Sequence, residues 1–302
     1  MNPETKIYTI IVTYNPLKWI DKCLACLAES SVSTEIVVVD NCSTDGAREY
    51  LPSKYQDLIW LPQDHNLGFG QANNLGIRYA LEHGADYVFL LNQDAYVYTD
   101  TIKELLSESD GKSVLSPIHL NGSGSRLDDM FRIALSMTDL TILDDMLVNG
   151  TPAGGYRVQD VSAACWMIPC AVLDTIGGFN PVFFQYGEDN NYCQRLHYHG
   201  IELKVVTAAR VCHDRKVHGN ITVFNSNKLW RDIILIECDI NKGARSRFVQ
   251  FFKLLKRLYC KDLVRGMYRP FAFTANIFKL WCGYAKIRYS RRMDKSIGRT
   301  WL

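Results

Sequence analysis

The chain predicts an α/β fold: a Rossmann-like, mostly parallel sheet flanked by helices, with a basic helical C-terminal region. Three observations carry that prediction. Short β-branched apolar runs alternate with amphipathic stretches through the first hundred residues, the pattern of a parallel sheet covered on both faces. Three of the apolar runs stop on polar residues, and in such sheets ligands bind beyond the carboxyl ends of the strands. Charge is also divided along the chain: Lys228 to Leu302 holds 18 Lys and Arg against 5 Asp and Glu, a local +13, while the first 227 residues carry −11.

The elements follow in order. "IYTIIVTY" (7–14) is a first strand, and Leu17 to Glu29 repeats apolar residues at helical spacing. "TEIVVVD" (34–40) is a second strand; the loop "NCSTDG" leads into a helix near Ala47. "LIWLPQ" (58–63) is a weaker third strand, and "NLGFGQANNLGIRYALEHG" is a loop entering a helix that stops on Gly84. "YVFLLNQD" is a fourth strand. Residues 122–156 give a mixed signal with short helical pieces. Beyond them the pattern predicts a strand over 163–169, a helix over 170–176, a helix from Glu188, and a strand running from "ELKVV" to "ARVCH". Past Lys228 the chain reads as basic helices.

At 302 residues, 47% hydrophobic and 22% charged, the sequence is that of a folded protein and not a disordered one. The expected division is a catalytic domain over 1–225 and a basic amphipathic helical region over 226–302. Cys23 and Cys26 form a lone CxxC without a second pair at zinc-ribbon spacing. They fall on the apolar stripe of the first helix, so burial is expected there. No basic region precedes the first apolar run as a secretory signal requires, and no stretch approaches ~20 apolar residues. A cytoplasmic protein with reduced thiols is the expectation.

The fourth strand poses the chemical question. A buried run, Tyr87 to Leu91, stops at Asn92-Gln93-Asp94, and a carboxylate there needs a partner, a metal or water. The first strand ends in Thr13-Tyr14-Asn15 and the second in Asp40-Asn41. One polar strand end is an ordinary turn; three on one sheet edge predict a ligand cleft.

"IIVTYN", "VVVDNCSTDG", "HNLGFGQANNLGIRYA", "LLNQDA" and "FFQYGEDNNYCQRL", in that order, resemble the family-2 glycosyltransferases of GT-A fold, and the glycine-containing loop looks most like the bacterial rhamnosyltransferase-like branch. The resemblance covers about residues 5–215. It implies an inverting, metal-dependent sugar transfer, in cell-surface polysaccharide synthesis, from a nucleotide-diphosphate donor, dTDP-rhamnose first and a UDP-hexose as the alternative, to a glycan or lipid-linked saccharide. It places Thr13, Tyr14, Asn15, Asp40 and Asn41 at the nucleotide, with Gly68, Phe69, Gly70 and Asn73 approaching it from the loop. Asn92, Gln93 and Asp94 match the DxD motif with the first carboxylate replaced by an amide. Asp94 would then hold Mg²⁺ or Mn²⁺ against phosphate oxygens, with His213 as a second ligand and His218 competing for that part. Asp189 is implied as the base that takes the acceptor proton, Glu188 as its helper. Trp166 and Tyr186 are candidate acceptor contacts, against core packing as the plainer use of aromatics.

The stretch "RFVQFFKLLKRLYCKDLVRG" places Phe248, Phe251, Phe252, Leu255, Leu258 and Tyr259 near one helical face, with Lys253, Lys256, Arg257 and Lys261 on others. Two uses are open for it: an anionic membrane surface, making the protein peripheral on the inner face of the cell membrane, or packing on the catalytic domain. Nucleic acid is not expected, since no recognised module accompanies the charge. A nucleotidyltransferase would need a basic phosphate loop after the first strand, where only Lys18 stands. A non-catalytic nucleotide-binding membrane adaptor would have lost Asp94 or Asp189, and both are present.

Overall fold

The computed structural model describes residues 5–136, 141–145, 148, 154–215, 226–264 and 270–302. Strands β1 (Ile7–Thr13), β2 (Glu35–Asp40), β3 (Ile59–Pro62) and β4 (Tyr87–Leu91) alternate with helices α1 (Ile20–Ala28), α2 (Ala47–Lys54) and α3 (Phe69–Glu82). They pair in parallel in the order β3-β2-β1-β4. The first helix starts three residues later than its periodicity predicts. Pro16 removes a backbone donor, and Trp19 and Ile20 both donate back to its carbonyl, closing a turn first.

The sheet then continues through β8 (Cys165–Pro169), antiparallel to β4, into β6 (Val114–Asn121), β9 (Leu203–His213) and the edge strand β5 (Ala95–Val97); β7 (Gly155–Arg157) also pairs with β9. β5 follows β4 by only three residues yet lies across the sheet, antiparallel to β9. Asn92-Gln93-Asp94 is therefore the turn at which the chain leaves the parallel strands. β6 did not stand out in the sequence, because Ser116, Pro117 and His119 break its apolar run.

Alternation along the strands fills two cores. Ile10, Val37, Val39, Val88, Leu90 and Trp166 pack with α3 and with α8 (Glu188–Tyr198) on one face. Ile11, Val38, Phe89 and Leu91 pack with α1 and α2 on the other. Cys23 is fully buried in this second core and Cys26 half-buried, both as free thiols. The CxxC is helix packing. Helices α4 (Thr101–Ser107), α5 (Asp129–Ser136), α6 (Thr141–Asp144) and α7 (Cys170–Ile176) complete the first part.

Three helices follow: α9 (Ser226–Cys238), α10 (Ala244–Val264) and α11 (Pro270–Met293). Ile234 and Cys238 of α9 and Ile287 of α11 share a small core with Phe183 from the segment before α8. Segment 294–302 then returns to α7 and α8: Gly178 donates to the Thr300 carbonyl at 2.8 Å, and Gly298 donates to Thr175 at 2.9 Å. The expected division at residue 225 lies outside the described residues, as do the side chains of Arg257, Leu258, Tyr259 and Lys261. Among the described residues no helix is long and apolar enough to cross a membrane.

Candidate active site

β1, β2 and β4 end side by side, and their polar ends divide into groups that face outward and groups that brace. Tyr14, Asn15, Asn92, Gln93 and Asp94 keep solvent-accessible surface, whereas Thr13, Asp40 and Asn41 are buried. Asp40 was expected at the nucleotide. Its Oδ1 instead accepts from Thr13 Oγ1 at 3.2 Å, and Oδ2 accepts from the Ser43 amide and faces Arg48 Nε at 3.3 Å. A buried carboxylate requires such partners, and these contacts tie the ends of β1 and β2 to the loop that follows. Asn41 is likewise used up: its amide donates to Asn66 Oδ1 and the Gly68 carbonyl, and its Oδ1 accepts from the Leu67 amide at 2.7 Å. Gln93 exchanges two hydrogen bonds with the Tyr14 backbone, latching the ends of β1 and β4 together. Asn15 has a left-handed φ of 50° and accepts from the Thr44 amide at 2.8 Å, which shapes the loop after β2.

The glycines expected to admit the nucleotide admit the chain's own backbone. At Gly68, φ +79°, a Cβ would stand 1.8 Å from the Phe184 carbonyl oxygen. At Gly70 a Cβ would stand 2.9 Å from Phe179 Cβ and 3.4 Å from Glu188 Cβ. Both let α3 approach the 179–188 segment, and Phe69 packs edge-on against Phe179. Asn73 is buried and donates to the Phe69 carbonyl at 3.0 Å, a contact within its own helix. The loop packs against the segment that leads into α8.

Asp94 sits at the turn with its side chain about one-fifth exposed, its Oδ1 3.4 Å from His213 Nε2. Burial raises its proton affinity, but the His213 hydrogen bond and charge, with Arg215 behind, hold it below the usual carboxylate range. It therefore stays ionised. His213 was expected as a metal ligand. Arg215 donates to its Nδ1, with Nη2 at 3.1 Å, and a guanidinium can only donate. The other ring nitrogen of His213, Nε2, lies 3.4 Å from both Asp94 Oδ1 and Asn92 Nδ2. His213 therefore stands between the two oxygen-bearing side chains of the turn and Arg215. Arg215 is fixed in turn by Asp128 at 3.1 Å. Among the described residues no group of three His, Cys, Asp or Glu side chains is placed to hold an ion. The oxygen donors present are the Asp94 carboxylate and the buried, unpartnered Asn92 Oδ1. Two hard oxygens fit Mg²⁺ or Mn²⁺ when a diphosphate completes the coordination. His218 lies outside the described residues.

The second assembly is at the start of α8. Glu188 is buried, its Oε2 has no partner, and burial and the neighbouring Asp189 charge push it up to about 8. Burial also raises Asp189 above the ordinary carboxylate range, against opposing backbone hydrogen bonds and the charges of Arg231 and Arg215. Arg215 thus acts on both Asp94 and Asp189. A third carboxylate, Asp160, escaped the sequence reading. It precedes β8 and accepts from Asn190 Nδ2, and burial and the Asp189 charge bring it to about 6. Nothing in "RVQDVSAAC" announces it, since its neighbours on α8 lie some thirty residues on. Arg215, two positions after His213, could have been flagged on spacing alone.

Of the two aromatics, Trp166 is fully buried and stacks on Phe179 in the core. It cannot meet an acceptor. Tyr186 is 63% exposed in a left-handed conformation, φ 66°, two residues before Glu188.

Comparisons with known proteins bear on the fold and the family. The low-salt glycan biosynthesis hexosyltransferase Agl10 of Haloferax volcanii is 28% identical over 190 residues, 61% of this chain; the chain spans only 60% of that relative's length. The dTDP-rhamnosyl transferase RfbF of Shigella flexneri is 24% identical over 213 residues, covering 70% of this chain and 69% of its own. Among solved structures, the mannosyltransferase PcManGT from Pyrobaculum calidifontis, in complex with GDP-Man and Mn²⁺, superposes with a TM-score of 0.57 at 17% identity over 93% of this chain and 75% of its own. The fold is that of the GT-A glycosyltransferases. The model of "Glycosyl transferase family 2" matches residues 8–177, more than half of the sequence, and the chain belongs to that family.

Proposed function

We propose that this protein is an inverting glycosyltransferase moving a sugar, rhamnose from dTDP-rhamnose in the first instance, from a nucleotide-diphosphate donor to a glycan or lipid-linked saccharide. One observation carries the reading: two carboxylate assemblies of opposite proton affinity stand at one end of the sheet, Asp94 held ionised and Asp189 raised. Environments that push carboxyl groups apart in this way separate a charge-holding role from a proton-accepting one. Tyr14, Asn15 and Gln93 line the nucleotide side. Asp94 and Asn92 would hold a divalent cation, which when bound offsets the charge of the diphosphate. Asp189 accepts the proton of the acceptor hydroxyl as its oxygen bonds to the anomeric carbon and the bond to the diphosphate oxygen breaks. Glu188, protonated near neutral pH, keeps a second charge away from that step.

Association with an anionic bilayer belongs to the same proposal. Residues 244–256 and 278–292 contain nine Lys and Arg and no Asp or Glu. Phe248, Phe252, Phe278 and Trp281 are exposed among them, the composition of an interfacial surface. Flotation with vesicles of neutral and of 30 mol% anionic lipid measures it; equal recovery from both, or from neither, refutes it.

The donor is tested by thermal shift with UDP, dTDP, GDP and their sugars, each with Mn²⁺ and with EDTA, on wild type and Asp94→Ala. Metal-dependent stabilisation by dTDP that the variant loses supports the proposal. A response to UDP alone moves the donor to a UDP-hexose. No response to any nucleotide overturns it.

A further inference from the structure

Helix α8 presents Asp189 from its first turn, so whatever fixes α8 fixes the base. Its one fully buried charged side chain is Arg195, which donates to the carbonyls of Ile176 and Gly178. A buried guanidinium needs a carboxylate. Position 191, one turn earlier on the same helical face, could supply one, but this chain carries Asn191 there. The carboxylate comes instead from Asp294, some hundred residues on, 3.4 Å from Arg195 Nε and fully buried.

Asp294 is enclosed by donors from both sides. Its Oδ2 accepts from Asn180 Nδ2 at 2.9 Å and from Asn191 Nδ2 at 3.1 Å; its Oδ1 accepts from Trp301 Nε1 at 3.0 Å. The backbone of the same segment is tied down around it: Asn74 of α3 donates to the Trp301 carbonyl at 3.1 Å while its other contacts hold both the amide and carbonyl of Phe179. Gly177 and Gly178 leave room for this, since a Cβ on either would fall within 2.5 Å of Thr300 or Leu302 atoms.

We propose that segment 294–302 is a strap that sets the position of α8, with Asp294 as a positioning residue that acts on Asp189 through Arg195 and Asn191. An amide at 191 and a carboxylate at 294 are one complementary pair. A carboxylate at both would place two charges about 3 Å apart in a dry site; an amide at both would leave Arg195 without a counter-charge. The strap rests on Asp189 being the base only for its consequence in catalysis, not for its action on α8.

The test compares Asp294→Asn, the exchange Asn191→Asp/Asp294→Asn, and Asp189→Asn in the full chain, by hydrogen exchange and by nucleotide release from dTDP-rhamnose and UDP-hexoses. Leaving Arg195 unpaired should speed exchange of the α8 amides by about 100-fold, with β1, β2 and β4 amides unchanged. The exchanged pair should restore protection and turnover together, because one buried carboxylate again faces Arg195. It should also return the acid limb of the turnover profile to its wild-type pH, after Asp294→Asn has moved that limb down by opening Asp189 to water. Unchanged α8 exchange in Asp294→Asn overturns the strap, as does failure of the double variant to restore it while the sheet stays protected. Asp189→Asn should keep α8 protected and lose turnover; full turnover there would overturn the base and leave the strap standing.

Discussion

Replacing Gly70 with Ala sets two effects of known size against each other. Alanine is favoured over glycine in a helix by at most ~1 kcal/mol, and Gly70 lies in the first turn of α3. The added Cβ would stand 2.9 Å from Phe179 Cβ, at least ~0.6 Å inside an ordinary carbon–carbon contact. Phe179 cannot retreat: its ring lies against Trp166 and Tyr192, and its backbone is held at both ends by Asn74. The start of α3 must shift instead, and with it the contact to Glu188, whose Cβ would lie 3.4 Å away. Overpacking of this kind costs ~1–3 kcal/mol, so a net loss of ~1 kcal/mol is expected, a fall in Tm of ~2 °C. Catalysis should suffer more, since displacing the turn that carries Asp189 is expected to lower kcat at least ~10-fold. Nucleotide binding should survive, because the polar ends of β1 and β4 are untouched. Thermal shift with and without nucleotide, beside steady-state turnover, separates these effects. Loss of the nucleotide shift with kcat intact would refute the packing role of Gly70 and return it to the donor site.

Other outcomes follow from the same geometry. Glu188→Gln should stabilise the fold at high pH. A carboxyl raised to about 8 binds more protons folded than unfolded between its unfolded value, near 4.5, and about 8, so wild-type stability falls as pH rises through that window. The variant should gain ~5 °C in Tm at pH 9 and nothing below pH 4; a gain confined to low pH would reverse the sign of the reasoning. His213→Gln should weaken metal-dependent nucleotide binding about 10-fold without abolishing it, whereas Asp94→Ala should abolish it, as titration calorimetry with Mn²⁺ can show. Trp166→Ala should destabilise by ~3–5 kcal/mol in urea unfolding, with no change in acceptor preference that exceeds the loss of folded enzyme.

How much of this was legible in the sequence varies residue by residue. The strands, the helices between them and the polar strand ends follow from local rules: period-2 and period-3.6 apolar spacing, and the cost of stranding a polar group inside a strand. Burial of Cys23 followed from the same stripe. What each polar residue does was decided by folding. Asp40, Asn41 and Asn73 look like ligand groups in the sequence, but are bonded inward because their neighbours reach them first. Gly68 and Gly70 lie where a side chain would meet the segment leading into α8, Trp166 is core, and His213 lies between Asp94 and Arg215. The long-range pairings are where tertiary structure alone speaks. Asp160 meets Asn190, and Asp294 meets Arg195, across thirty and a hundred residues of chain. A pattern with a period of two or four residues carries no information about such distances, whereas a buried charge, which must find its partner wherever the fold brings one, fixes them.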